Sequence, residues 1–189
     1  MILALNCGSS SLKYALFEGG RRTGGGSVER IGIPGGHATH AEAVHATLEK
    51  LPRPAAVGHR LVHGGPDLLE PVRIDATVVR KLREAEPFAP LHLPPAIGAI
   101  EAVAQRASGV PQVACFDTSF HRTLPDVARR FPLPASVPAG AVHRYGFHGL
   151  SYEGVVAGLR LPSRTVIAHL GNGASLCAVK DGISIDTTM

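Results

Sequence analysis

Residues 2–17 read ILALNCGSSSLKYALF. Apolar runs on either side of the small-residue turn at 7–11 predict two strands joined by that turn. Residues 19–26 are rich in Gly and Arg and predict a second turn, and residues 27–33 predict a third strand. We therefore expect the chain to open with three consecutive strands.

After this opening, strand and helix patterns alternate. Apolar residues at helical spacing, with Asp75 as a cap and Pro95 as a first residue, predict four helices. These helices are expected at 40–51, 76–86, 95–107 and 149–159. Apolar runs predict further strands at 55–62, 112–116, 165–170, 175–179 and 183–187. The order predicts an α/β domain with a mixed sheet.

The last three predicted strands resemble the first three. Residues 2–12 align with residues 166–176 without a gap, which indicates an internal duplication. The identical positions are Ala4, Ser11 and Leu12 in the first stretch and Ala168, Ser175 and Leu176 in the second. We therefore predict one domain over residues 1–160 and, over residues 161–189, the opening strands of a second, incomplete domain.

Three strands with no helix to cover them would leave an apolar face exposed. We therefore expect the pattern to continue beyond Met189, and the chain to be a truncated form of a longer protein.

Composition narrows the function classes. The 189 residues carry a formal charge of +4 and a pI of about 9.3, which fits a small anionic substrate and no nucleic acid. Three cysteines without a C-x-x-C pair argue against a disulfide framework and a zinc site. No apolar stretch reaches the length of a membrane span, so we expect a cytoplasmic protein with no membrane partner.

Two small-residue turns could hold phosphate. The first, within residues 6–13, presents backbone N–H groups and serine hydroxyls, with Lys13 as a nearby cation. The second, within residues 169–175, reads HLGNGAS. Either could instead be an ordinary polar hairpin turn. A Walker-type loop and a nucleophile elbow are both absent from the sequence.

Other runs carry chemically capable side chains. Arg60 lies at the end of a predicted strand, and its guanidinium suits a carboxylate or a phosphate. Asp117 follows a buried strand, where it could be catalytic or could cap a turn. His92 lies in a proline-rich loop and His148 lies between glycines; either could be structural.

Together these runs resemble the acetate kinase family of short-chain carboxylate kinases. The matching motifs follow the family order along the chain. They are NCGSSSLKY at 6–14, GHRLVHGG at 58–65, APLH at 89–92, FDTSFH at 116–121, RYGFHG at 144–149, HLGNGAS at 169–175 and DGISIDTTM at 181–189. The resemblance implies an actin-like ATPase fold built from two duplicated domains.

The resemblance also implies residue roles. It assigns Asp117 to the metal and the attacking oxygen, His148 to stabilising the transferring phosphoryl group with His92 assisting nearby, and Arg60 to the substrate carboxylate or the acyl phosphate. The implied acyl pocket consists of Val62, Leu91 and Phe147. The implied phosphate and metal residues are Asn6 at the Mg²⁺ or Mn²⁺ site, Ser9, Ser11 and Lys13, and the second loop of His169, Leu170, Gly171, Asn172 and Gly173.

The implied reaction transfers a phosphoryl group reversibly between ATP and acetate, giving acetyl phosphate and ADP. The resemblance implies a homodimer at full length. It also implies that the adenosine site, a second Arg and a Glu lie beyond Met189, so a complementary C-terminal half is expected and the chain alone is expected to be inactive. Alternatives are a propionate or butyrate kinase and a non-catalytic remnant.

The sequence departs from the family pattern in three places. Leu93 stands where the family usually has Asn, and Tyr152 stands where a His is common. Residues 18–54 are also shorter than the family pattern.

Overall fold

A six-stranded mixed sheet forms the first of two compact units, and a three-stranded antiparallel sheet lies in the second. The units span Met1–Phe116 and Asp117–Met189 in the computed structural model, which describes residues 1–134, 136–137 and 142–189. The predicted α/β class with a mixed sheet is confirmed. The domain boundary at residue 160 stays a prediction.

The first sheet combines parallel and antiparallel pairs in the order β3-β2-β1-β4-β6-β5. Its strands are β1 (Ile2–Cys7), β2 (Leu12–Glu18), β3 (Arg21–Val28), β4 (Ala56–Leu61), β5 (Val72–Arg73) and β6 (Gln112–Phe116). The central strands β1, β4 and β6 run parallel, whereas β2, β3 and β5 pair antiparallel to their neighbours. The short strand β5 was not predicted, because two residues carry no periodicity.

Alternation of side chains decides which face of this sheet is buried. In β4, Val57, His59 and Leu61 are buried, whereas Arg60 projects to the other face. The buried face joins the apolar core formed with α1 (His40–Lys50) and α3 (Leu93–Arg106). The opposite face therefore remains available for polar side chains.

The helices of the first unit begin where their caps allow. Thr39 caps α1 and Asp75 caps α2 (Ala76–Glu84), each by accepting a bond from a backbone N–H of the first turn. Helix α3 begins at Leu93, two residues before the predicted Pro95. A proline is tolerated there because the first four N–H groups of a helix lack intrahelical partners. A 3₁₀ turn, Glu86–Phe88, follows α2.

The prediction for the third strand was wrong. Only Gly19 and Gly20 form the turn; β3 then begins at Arg21 and ends at Val28, and the chain turns again beyond it. The other glycines of the predicted turn lie in β3, because they face larger residues on β2. A Cβ on Gly26 would lie 2.8 Å from the Tyr14 hydroxyl. Pairing with β2 therefore overrides the turn propensity of the segment.

In the second unit, one helix covers one face of the three-stranded sheet. The elements are a 3₁₀ turn (Ser119–His121), α4 (Asp126–Arg129), α5 (Gly149–Gly158), β7 (Arg164–His169), β8 (Ser175–Lys180) and β9 (Ile183–Thr187). Tyr152 of α5 is fully buried in a cluster with Ile167 and Cys177 of the sheet. The expectation of a sheet without helix cover was therefore wrong for this face. The short helix α4 was not predicted.

The other face of this sheet remains apolar and exposed. Val166, Leu176 and Ile183 expose 68%, 44% and 51% of their surface. No helix among the described residues has the length and apolar character needed to cross a membrane.

Both units contain an antiparallel hairpin followed by a third strand, but the two hairpins differ in register. Ala4 pairs with Ala15, whereas Ala168, its counterpart in the ungapped alignment, pairs with Leu176. The ungapped alignment therefore does not hold through both strands of the hairpin.

Candidate functional site

A row of polar side chains crosses the first sheet on the face opposite α1 and α3. Asn6 of β1 lies beside Lys13 of β2 and beside Arg60 of β4 in the strand registers. The Arg60 Nη1 donates to the Asn6 Oδ1 at 3.2 Å. Two cations thus flank one amide at the carboxyl end of two parallel strands, where α/β proteins bind ligands. The row can bind an anion.

The turn between Asn6 and Lys13 is fixed by its backbone. The Gly8 N–H donates to the Ser11 carbonyl at 2.8 Å, and the Gly8 carbonyl contacts the His40 Nε2 at 2.8 Å. Ser9 is exposed and Ser11 is half-buried. The hydroxyl of Ser9 is therefore accessible to a phosphate, at the end of β1 where the polar row lies.

The two histidines beside Arg60 stabilise the fold. His59 is 2% exposed, and its Nε2 lies 2.7 Å from the Gln112 Oε1. His63 is equally buried, accepts the Gly65 N–H at its Nδ1 and stacks on Phe88 at 4.8 Å between ring centroids. Both histidine rings point into the core. Arg60, which lies between them in the sequence, instead projects onto the polar face.

Burial of His59 makes stability depend on pH. Burial lowers the pKa of His59 to about 4, although the Gln112 bond opposes this shift. The unfolded chain takes up a proton near pH 6.5, so the stabilisation is complete above that pH and declines as the pH falls toward 4. We expect the free energy of unfolding to fall by about 2 kcal/mol between pH 7.5 and pH 5 from this residue alone.

The measurement is urea unfolding at both pH values for wild type and His59→Gln. The variant should show a smaller pH dependence, whereas His92→Gln, at an exposed position, should retain it. Burial also lowers the pKa of His121, so His121 contributes to the pH dependence of the unfolding free energy in every variant. An unchanged pH dependence in His59→Gln would contradict the assignment.

The predicted substrate loop of the first unit is exposed. Leu91 exposes 73% of its surface, and His92 is exposed at the beginning of α3, with no side-chain bond to the helix. Val62 is half-buried and packs against the core. Leu91 and His92 are therefore accessible to ligand.

Asp117 begins the second unit directly after β6 and is 3% exposed. Its carbonyl accepts the Gly149 N–H, the first of α5, at 2.8 Å. This bond places the run around His148 beside Asp117. The Asp117 carboxylate also raises the pKa of His121 against the larger lowering effect of burial.

Gly149 allows this contact because it has no side chain. A Cβ there would lie 2.3 Å from the Asp117 carbonyl oxygen and 2.9 Å from the Phe120 Cβ. We expect Gly149→Ala to lower the free energy of unfolding by about 2–3 kcal/mol in urea unfolding. Gly154→Ala is the matched control in the same helix, with open space at its Cβ, and should raise stability slightly. Equal stability of the two variants would contradict the packing described.

His121 fixes the segment that carries Phe147 and His148. Its Nε2 lies 3.0 Å from the Phe147 carbonyl, and its Nδ1 lies 2.8 Å from the Ser184 Oγ. Gly146, at φ +78°, lies against the same ring, where a Cβ would clash at 2.4 Å. Phe147 itself is half-buried. His121 was part of a recognised motif, but its role in packing depends on contacts distant in sequence.

His148 has a strained backbone and a firmly held ring. It adopts φ 60° and ψ 19°, a left-handed conformation that is uncommon for residues other than glycine and occurs often at functional sites. Its Nδ1 lies 2.9 Å from the Ser175 Oγ, and its ring stacks on His169 at 4.1 Å between centroids. The fold therefore fixes both the position and the plane of this imidazole.

The second predicted phosphate loop lies beside His148. A Cβ on Gly173 would lie 3.5 Å from the His148 Nε2, and Leu170, Gly171 and Asn172 are exposed. His169 Nδ1 lies 3.0 Å from the Ser151 Oγ. The loop is therefore accessible and can bring an anion next to the His148 ring.

The structure thus groups the predicted residues within each unit. Asn6, Lys13 and Arg60 form the polar row of the first unit, and His148, His169 and Gly173 form a cluster in the second. The contacts of Ser175 and Tyr152 with this cluster were not predicted, because they depend on strand and helix packing between distant residues.

The fold belongs to the actin-like ATPase class, as its mixed sheet and its relatives among solved structures show. The acetate kinase of Porphyromonas gingivalis superposes with a TM-score of 0.87 at 36% identity, covering all of this chain and 57% of that one. A propionate kinase from Francisella tularensis superposes with a TM-score of 0.85 at 33% identity, covering all of this chain and 56% of that one.

A model of the Acetokinase family matches residues 36–189, and the chain belongs to that family. The acetate kinase of Arthrobacter sp. (strain FB24) is 43% identical over 214 positions, and that of Dichelobacter nodosus is 42% identical over 219. Each alignment covers all of this chain and 55% of the relative. The chain spans about half the length of the curated relatives it matches. Since it has 189 residues, these relatives also contain segments within the matched region that it lacks.

Proposed function

We propose that this chain forms the N-terminal part of a kinase that transfers the γ-phosphoryl group of ATP to acetate, reversibly, giving acetyl phosphate and ADP. The observation that carries the proposal is the row of Lys13, Asn6 and Arg60, which places two cations at the carboxyl end of parallel strands. Relatives named acetate kinase over the whole chain favour the same reaction.

The proposed chemistry needs alignment and charge rather than a strong base. A carboxylate oxygen of acetate attacks the γ-phosphorus in line, a new P–O bond forms, and ADP leaves as the old P–O bond breaks. Arg60 holds the carboxylate through its two-pronged guanidinium, and His148 donates an N–H to a phosphoryl oxygen. His92 assists in stabilising the transferring phosphoryl group. These contacts hold the reactants in an attacking geometry.

The apolar and phosphate-binding roles follow from the resemblance to the family. We assign Val62, Leu91 and Phe147 to the acyl group, whose small size matches few apolar contacts. Ser9, Ser11 and Lys13 bind phosphate oxygens at the first turn. The loop from His169 through Leu170, Gly171 and Asn172 to Gly173 binds phosphate beside His148.

We assign Asn6 and Asp117, as the family resemblance implies, to a Mg²⁺ or Mn²⁺ ion bound largely by substrate. Mg²⁺ prefers oxygen ligands and commonly binds through one or two carboxylates together with phosphates and water. Asp117 offers a carboxylate and Asn6 an amide oxygen. The described part of the chain contains no cluster of three His, Cys, Asp or Glu side chains that could hold a metal ion by themselves. When bound, the ion supplies positive charge to the phosphate oxygens.

Turnover is proposed for the full-length arrangement, which the family resemblance implies to be a homodimer, and not for residues 1–189 alone. The relatives extend well beyond the matched region. The exposed apolar face with Val166, Leu176 and Ile183 is a suitable contact for a complementary C-terminal half. A reducing, cytoplasmic location fits three cysteines, Cys7, Cys115 and Cys177, that form no C-x-x-C motif.

A chimera tests the proposal. It joins residues 1–189 to the part of the Arthrobacter relative that this chain does not match, and is named the chimera below. Trapping of acyl phosphate as hydroxamate, with acetate, propionate and butyrate in parallel, should show turnover for the chimera and none for residues 1–189. Absence of turnover in the chimera with all three acids would favour a non-catalytic remnant.

A propionate kinase is the second candidate, favoured by the Francisella structure. It would be supported by a higher kcat/KM of the chimera for propionate than for acetate. Butyrate as the best substrate would indicate a larger acyl pocket than Val62, Leu91 and Phe147 imply.

A further inference from the structure

Tyr152 carries a buried hydroxyl that belongs to the cluster around His148. The residue is fully buried under the three-stranded sheet, and its hydroxyl lies 2.5 Å from the Ser175 Oγ. Ser175, itself 4% exposed, lies 2.9 Å from the His148 Nδ1. Three side chains thus form one chain of hydrogen bonds that begins at a buried phenol and ends on the half-buried candidate catalytic imidazole.

The direction of this chain follows from counting protons. Burial raises the pKa of Tyr152, so the phenol keeps its proton. Among the described residues, the only hydrogen-bond partner of this buried hydroxyl is the Ser175 Oγ. The phenol proton is then free to go to Ser175. Ser175 is buried, and the only other partner of its Oγ among the described residues is the His148 Nδ1, so its one proton is donated to His148.

The consequence is a defined tautomer of His148. A ring nitrogen that accepts a hydrogen bond carries no proton, so the neutral ring carries its proton on Nε2. That nitrogen faces the exposed second loop, since a Cβ on Gly173 would lie 3.5 Å from it. Stacking on His169, with 17° between ring planes, prevents the ring from turning away.

We propose that Tyr152 and Ser175 are positioning residues that hold His148 as its neutral Nε2–H tautomer, with this N–H directed at the anion in the second loop. The assignment of the tautomer does not depend on the proposed function. Its role in donating to a phosphoryl oxygen rests on the proposed function.

Nitrogen NMR on the 189-residue chain tests the assignment directly. With ¹⁵N-labelled histidine at pH 8, two-bond ¹⁵N–¹H correlations distinguish the protonated from the unprotonated ring nitrogen. Wild-type His148 should show an unprotonated Nδ1 and a protonated Nε2. Tyr152→Phe removes only the phenol oxygen, and Ser175→Ala removes the bond to Nδ1. Both should convert His148 to a mixture of tautomers.

Ser151→Ala is the matched control, because it removes a hydroxyl that bonds His169 rather than His148. It should leave the His148 tautomer unchanged. Amide ¹H–¹⁵N spectra establish that each variant is folded, and Tyr152→Phe retains the buried ring if Ser175→Ala does not fold. A protonated Nδ1 in wild type would overturn the proposal, and so would an unchanged His148 tautomer in folded Tyr152→Phe.

Kinetics on the chimera separate this proposal from the proposed function. Tyr152→Phe should lower kcat about tenfold with little change in the KM for acetate, because the reactants still bind. An inactive wild-type chimera whose His148 shows the Nε2–H tautomer would overturn the phosphoryl-transfer proposal and support the assignment of the tautomer. An active chimera with unchanged kcat in Tyr152→Phe would overturn the positioning role.

Discussion

Replacing Asp117 with asparagine should lower the kcat of the chimera about 10³-fold, a loss of the size seen when one preorganised group is removed from an active site. The substitution keeps the side-chain shape and leaves the backbone bond from Gly149 in place. It removes the negative charge that we assign to the metal and the attacking oxygen. The 3% exposure of Asp117 makes replacement of that charge by water difficult.

The control for this variant is Asp126→Asn. Asp126 lies in α4, pairs with Arg130 and is largely exposed, so its charge contributes little. Steady-state kinetics with acetate and Mg·ATP should show wild-type rates for Asp126→Asn. A kcat for Asp117→Asn within threefold of wild type, in a folded chimera, would contradict the role assigned to this carboxylate.

Arg60→Ala should lower the kcat/KM of the chimera for acetate about 10²- to 10³-fold. Removing one partner of a charged, hydrogen-bonded pair costs about 2–5 kcal/mol, and the guanidinium is the group we assign to the carboxylate. The Asn6 amide would lose its donor at the same time. Steady-state kinetics with acetate varied at saturating ATP measure this loss.

A lysine at position 60 tests whether charge or geometry matters. Lysine keeps the charge but lacks the planar fork that binds a carboxylate by two bonds, so Arg60→Lys should recover only part of the loss. Arg80→Ala, which removes an exposed pair with Glu84 in α2, is the control and should have no effect. A fully active Arg60→Lys chimera would show that a point charge suffices.

Elements with strong local signals were predicted well from the sequence. Asp75 marked the beginning of α2 because a cap acts within one turn of the helix. Strand β6 was predicted at its observed bounds because its apolar run is short and ends at Asp117. Strand β3 was missed because its glycines are fixed by Tyr14 and Leu16 across the sheet, which no local pattern reveals.

The candidate site was predictable by residue but not by arrangement. The resemblance to a known family named Asn6, Lys13 and Arg60, but only the register of three strands shows that they form one row. Likewise, Tyr152 was recognised as a departure from the family pattern, and its contact with Ser175 depends on how α5 packs on β8. Long-range packing, rather than local propensity, determines both arrangements.

The most direct test of the account follows the oxygen that attacks phosphorus. The chimera is incubated with ATP, Mg²⁺ and acetate carrying ¹⁸O in its carboxylate, and the product is examined by ³¹P NMR. The account predicts acetyl phosphate whose ³¹P signal carries the isotope shift of a bridging ¹⁸O, with ADP formed in equal amount. Hydrolysis of ATP to unlabelled phosphate without acetyl phosphate would contradict the central claim that this family member phosphorylates a carboxylate.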